Sequence, residues 1–233
     1  MRILVVDDHP LVREAMREVL KQLDASIDVL EAADSAGALE TADCKPDLDL
    51  ILLDIQMPGR SGLDALSDFR EKHPAIPVVV LSGSEMPGDV LRAIDGGAMG
   101  FIPKSQPSRV MINALRLVLA GGVYLPADIL NQTTTPPGSL RPAADGAGLA
   151  SSEDIGLTDR QAEVLALLVQ GKPNKLICRE LGLAEGTVKI HISAILKTLG
   201  VVNRTQAVIA VSRLGITLGG IGGKPGLPAQ NGP

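Results

Sequence analysis

"ILLDIQMPGR", residues 51–60, places one carboxylate, Asp54, directly after an aliphatic run that begins at Leu50. The start of the chain repeats the arrangement: in "RILVVDDHP", residues 2–10, Ile3 to Val6 lead straight into Asp7 and Asp8. Apolar runs without polar alternation read as strands covered on both faces, the pattern of a parallel sheet. "LDLILL" (48–53) and "IPVVVLS" (76–82) extend that pattern, and "ASIDVLEA" (25–32) and "GFIP" (100–103) are further strand candidates. Between them lie helix-like stretches at 10–23, 35–43, 62–72, 87–96 and 107–121. In the first of these, Leu11, Ala15, Val19 and Leu23 recur every four residues, which predicts the buried face of a helix. Strands and helices in strict alternation predict a doubly wound, five-stranded parallel α/β domain over residues 1–125.

The composition narrows the class. The chain has 233 residues, of which 45% are hydrophobic, enough to bury a core. With two Phe, one Tyr and no Trp, that core is aliphatic. Cys44 and Cys178 are far apart, with neither metal-ligand spacing nor a disulfide framework, so a reduced interior compartment is expected. "ILVV" before two acids is too short for a signal-peptide core, and no apolar run approaches the roughly 18 residues of a membrane span. A cytoplasmic protein with no membrane contact is the expectation. The net charge of −5 is unevenly spread. Residues 1–125 carry 12 Lys/Arg against 19 Asp/Glu, a net −7, whereas residues 157–214 carry 8 against 4, a net +4. An acidic front and a basic rear suggest two modules, the rear one facing a polyanion.

After Tyr124 the texture changes. Residues 126–156 include "NQTTTPPGSLRPAADGAGLASSEDIG" and read as a linker. Residues 216–233 are too rich in Gly and Pro to fold alone. Between them, residues 157–215 predict four short helices. Thr158 caps the first, whose residues Ala162, Leu165, Leu168 and Val169 share a face, and Gly171 and Pro173 end it. "NKLICRELG" stops at Gly182, "AEGTVKIHISAILKTLG" at Gly200, and "NRTQAVIAVSRLG" starts near Asn203 or Thr205. The tight "LGLAEG" joining the second and third helices describes a helix-turn-helix.

In an open parallel sheet, ligands bind beyond the carboxyl ends of the strands. Asp7, Asp8, Asp54, Ser82 and Lys104 each end a predicted strand, so they converge on that edge. Three neighbouring carboxylates repel, and a hard divalent cation such as Mg²⁺ resolves the repulsion while leaving room for phosphate oxygens. Lys104 adds a positive point charge and Ser82 a hydroxyl.

Asp7–Asp8, Asp54 with "IQMPGRSG", Ser82, and "GFIPKS" ending at Lys104 resemble the receiver domain of bacterial response regulators. That resemblance implies that Asp54 accepts a phosphoryl group from a sensor histidine kinase. It implies that Asp7, Asp8 and Asp54 hold Mg²⁺ together with the backbone carbonyl of Gln56, and that Lys104 pairs with the phosphoryl group. Ser82 and Phe101 resemble the family's hydroxyl and aromatic switch couple, with Ser82 swinging to the phosphate and Phe101 filling the vacated space; read alone, Phe101 is core.

In the third rear helix, Val188, Ile192, Ile195 and Leu199 should face a small core, while Lys189, Ser193 and Lys197 recur on another face. A polar, basic stripe there is the arrangement that enters a major groove. The segment from "LTDRQAEVLALLVQGK" to "NRTQAV" is similar to the LuxR-type helix-turn-helix, and with the receiver it resembles the NarL/FixJ class of response regulators. By that resemblance Lys189, Ile190 and Ser193 would face base edges, and Thr187, Lys175, His191 and Arg204 would contact phosphates. His191 also suits simple packing. One such module buries little DNA surface, so a homodimer on promoter DNA is expected when the protein is phosphorylated or DNA-bound. Two other readings compete: an aspartyl-phosphate phosphotransferase or phosphatase, and a receiver-based interaction protein without DNA binding. The first normally needs a second acid two residues after the nucleophile, where this chain has Gln56.

Overall fold

The structure is a computed structural model that describes residues 1–126 and 155–214; the expected linker and tail fall largely outside them. The front half alternates β1 (Arg2–Val6), α1 (Pro10–Leu23), β2 (Asp28–Ala32), α2 (Ser35–Cys44), β3 (Leu50–Asp54), α3 (Gly62–Lys72), β4 (Val78–Ser82), α4 (Pro87–Asp95), β5 (Gly100–Pro103) and α5 (Ser108–Leu119). The five strands are parallel, in the order β2-β1-β3-β4-β5. The order reverses beside β1, so β1 and β3 lie next to each other and carry the first acids to one crevice.

Burial explains the unbroken apolar runs. All five residues of β3 and of β4 are buried, because helices cover both faces of the sheet. One core layer holds Leu4, Ile51, Leu53, Phe69, Val80 and Phe101; the other holds Ile3, Leu20, Leu52, Leu81, Ile102 and Leu115. Each fully buried aliphatic side chain contributes roughly 1.5–3 kcal/mol relative to exposure.

The expected face of α1 needs correction. Leu11 is 78% exposed, and the buried side is Met16, Val19 and Leu20. A four-residue step turns 400° at 3.6 residues per turn, so a row of such steps drifts about 40° each time and leaves the core. The three-and-four spacing through Met16, Val19 and Leu20 stays on it.

The rear half comprises α6 (Asp159–Val169), α7 (Asn174–Leu181), α8 (Glu185–Thr198) and α9 (Arg204–Leu214). Thr158 caps α6 through a reciprocal bond with Gln161, an arrangement that satisfies two free backbone N–H groups. Asn203, not Thr205, caps α9 by accepting from the Gln206 N–H at 2.8 Å. Gly182 ends α7 at φ 63°, a left-handed conformation that a Cβ would strain, and this lets α8 follow α7 at a sharp angle. Val164, Leu165, Leu168, Ile177, Val188, Ile192, Ile195 and Ala207 form a third, separate core. The α6 helix buries Val164 and Leu167 as well as Leu165 and Leu168, a wider face than the expected one.

The rear half lies against the amino-terminal edge of the sheet, opposite the acids. Lys189 Nζ of α8 donates to the carbonyls of Pro46 at 2.9 Å and Leu48 at 2.5 Å, in the loop entering β3. Lys175 of α7 pairs with Asp49 at 3.0 Å.

Candidate phosphoacceptor site and nucleic-acid interface

The strand ends bring the expected residues together. Asp7 follows β1, Asp54 closes β3, Ser82 closes β4, and Lys104 follows β5. Asp7, Asp54 and Ser82 are all buried. Ligand oxygens of Asp7, Asp8 and Asp54, with a ring nitrogen of His9, lie within 4.8 Å of one another. Lys104 Nζ stands 2.7 Å from Asp7 Oδ2 and 2.7 Å from Asp54 Oδ2. Burial lowers the Lys104 pKa, but the hydrogen bonds and charges of Asp54 and then Asp7 outweigh it, so the ammonium is held above its ordinary value. Asp54 Oδ1 accepts from the Gln56 N–H at 2.9 Å, and Asp7 Oδ1 from the His9 N–H at 2.9 Å. These bonds fix the two buried carboxylates toward one point. Three hard oxygen donors in one place, two of them buried, suit a small divalent cation.

Ser82 Oγ accepts from the Ser84 N–H at 3.0 Å, so its hydroxyl is engaged within its own loop. Phe101 is fully buried in the core beside Val80. Burial of its apolar ring suits the reading of Phe101 as core.

Three participants escaped the sequence reading. His9 Nδ1 lies 2.9 Å from Asp8 Oδ1, and only its adjacency to the acid pair signals it. Arg13, one turn into α1, donates to the Asp7 carbonyl at 2.7 Å. Gly62 sits where an added Cβ would lie 2.1 Å from the Asp54 carbonyl oxygen, so the start of α3 packs directly onto the backbone of the acid-bearing residue.

The residues expected at the DNA surface divide. Ile190 is 70% exposed. Thr187, His191 and Ser193 are half-buried, and Ser193 borders a groove shared with α3. Lys189 is 8% exposed; burial lowers its pKa, while Glu185 and Asp49 partly restore it. Lys175 is exposed but paired with Asp49. Arg204, expected at phosphates, instead donates to the carbonyls of Leu168 at 2.7 Å and Lys172 at 2.8 Å. Its guanidinium ties α9 to the carboxyl-terminal end of α6 and to the turn that follows it.

Comparison with known proteins agrees with this architecture. Residues 3–116 match the response regulator receiver domain, and residues 156–211 match the LuxR family of bacterial regulatory proteins. The glycerol metabolism activator of Pseudomonas putida is 43% identical over 216 residues, 93% of this chain and 97% of that protein. The nitrate/nitrite response regulator NarL of Escherichia coli K12 is 36% identical over 213 residues, covering 90% and 94%. A LuxR-family response regulator of Aurantimonas superposes with a TM-score of 0.52 at 29% identity, covering 56% of this chain and 92% of that one. The chain belongs to the NarL/FixJ class of two-component response regulators, a receiver domain joined to a LuxR-type DNA-binding domain that regulates transcription. Among the described residues no helix is long and apolar enough to cross a membrane.

Proposed function

We propose that Asp54 is the phosphoacceptor of the relay, charged by a sensor histidine kinase in the bacterial cytoplasm, and that its charge controls promoter binding by α8. The observation that carries this reading is Lys104 bridging Asp7 and Asp54 at 2.7 Å each, beside Asp8. Asp7, Asp8 and Asp54, with the Gln56 carbonyl, would hold Mg²⁺, which supplies neutralising charge to phosphoryl oxygens. The Asp54 carboxylate attacks phosphorus without a separate base. As the new O–P bond forms, the P–N bond to the kinase histidine breaks and its electron pair stays on the imidazole. Lys104 then turns its ammonium to the phosphoryl oxygens, and the Ser82 hydroxyl, released from Ser84, donates to another. Attack by water on phosphorus returns phosphate and the free carboxylate. The competing phosphotransferase or phosphatase reading lacks its general acid, because Gln56 cannot transfer protons.

Uncharged, the chain is closed: Lys189 and Lys175 are occupied by the receiver, and Ser193 of α8 borders it. Phosphorylation concentrates about two negative charges at the opposite edge. Release of α8 then frees Lys189 and Ser193 to join the exposed Ile190 at base edges, and Thr187, Lys175 and His191 for phosphates. Ile209, 45% exposed on α9, supports pairing of two copies on DNA. The test is intact mass after incubation with Mg²⁺ and acetyl phosphate, for wild type and Asp54→Ala, followed by anisotropy titration of both with promoter fragments. One added phosphoryl group and tighter, salt-sensitive DNA binding are expected for wild type alone; equal phosphorylation of Asp54→Ala would reject the assignment.

A further inference from the structure

Between the two halves lies a cavity of about 210 Å³ that phosphoryl transfer does not use. Carbon lines most of it, from Ala75 and Met99 on the receiver side to Leu168 and Ile192 on the other. Its charged wall is one-sided: among the described residues, Arg70, Lys175, Lys189 and Arg204 stand against the single carboxylate of Asp49. Asp49 is already paired with Lys175.

Among the described residues the two arginines have no such partner. Arg70 is 7% exposed, donates only to the carbonyls of Pro74 and Ile76, and its Nε has no hydrogen-bond acceptor among the described residues. Arg204, among the described residues, likewise donates only to carbonyls. With burial the sole influence on either, both guanidiniums are pushed down to about 10. A buried cation without a counter-charge is costly, and an adjoining cavity is the place where one would enter.

We propose that this cavity binds a small monocarboxylate with an apolar body, its head supplying the missing counter-charge of Arg70 and Arg204. Guanidinium forks match a planar carboxylate. A carbon-lined wall favours a hydrocarbon body and disfavours a doubly charged phosphate. A 150 Å³ cavity holds benzene, so this volume takes about eight non-hydrogen atoms, the size of hexanoate. Because both halves supply the wall, the ligand binds only the closed chain and stabilises it by mass action. It would act as a brake on DNA binding. Its binding does not depend on the roles assigned to Asp54 or to α8.

The experiment titrates the unphosphorylated full-length protein with hexanoate by calorimetry, with hexanamide as the neutral isostere. Saturable binding of one hexanoate is expected, with hexanamide about tenfold weaker or worse, the loss of a charge-assisted pair. Arg204→Met should lose the preference for the charged ligand. Ala75→Phe, which fills the cavity, should abolish binding while leaving acetyl-phosphate labelling of Asp54 unchanged. No saturable binding, equal affinity for hexanamide, or undiminished binding by Ala75→Phe overturns the site. Binding that leaves affinity for promoter fragments unaltered overturns the brake.

Discussion

Lys189 and Leu48, separated by 141 residues, are joined by a 2.5 Å hydrogen bond from the ammonium to the backbone carbonyl. The same lysine is a candidate reader of DNA bases, so one side chain serves two mutually exclusive surfaces. Lys189→Met should therefore loosen closure and weaken DNA binding together. Small-angle scattering should show a more extended unphosphorylated chain, and anisotropy should show DNA affinity reduced by about tenfold or more, as for a lost base contact. A variant that stays closed and binds DNA normally would contradict both roles.

Glu185 gives the closed form a pH dependence. Burial first, then the neighbouring Asp49, hold its carboxyl above the ordinary 4.5, with Lys189 opposing. An acid whose value is raised on closure penalises closure once ionised. That penalty is present at neutral pH, fades as pH falls through the raised value, and is gone below 4.5. Closure should accordingly strengthen on mild acidification. Glu185→Gln should reproduce the acid form at neutral pH, with a more compact chain, weaker DNA binding before phosphorylation, and a flattened pH profile.

Removal of Lys104 leaves buried Asp7 and Asp54 facing each other without a cation. Lys104→Met should cost roughly 3 kcal/mol in urea unfolding at neutral pH, the scale for breaking a buried pair. Added Mg²⁺ should recover part of the loss, and labelling of Asp54 should slow sharply. In the wild type the ammonium is held above 10.5, so its stabilisation is complete below that pH and lost only as pH rises past it. A melting temperature insensitive to Mg²⁺ in the variant would argue against cation binding by these acids.

Gly62→Ala tests the packing behind the acceptor. Its Cβ would lie 2.1 Å from the Asp54 carbonyl oxygen. Such overlap forces backbone to move, at about 1–3 kcal/mol or more. Thermal unfolding should fall, and acetyl-phosphate labelling should drop further than in an alanine variant at exposed Gly88, which meets nothing within 4 Å.

The parallel sheet and its acids were legible because strands covered on both faces leave unbroken aliphatic runs, and the residues ending them must share an edge. Asp7, Asp54 and Lys104 followed from that rule alone. The α1 face was misread because strict four-residue spacing drifts around a helix, leaving Leu11 in solvent. The burial of Lys189 and the carbonyl-bound Arg204 had no local signature. Contacts between halves so far apart in the chain leave no period in either, and a basic residue reads as solvent-facing until its distant partner is known. Gly62 belonged to a quoted stretch, yet nothing local announces that a backbone lies where its side chain would be.

The ribbon from Asp49 to Asp54 is gripped at both tips: Lys175 clasps its first residue and Lys104 its last. Deleting a single amino acid from it would rotate the remaining side chains to the opposite face. Incoming signal and outgoing grip would be disarmed in one stroke, so length along this short ribbon is a quantity that neither end can vary independently.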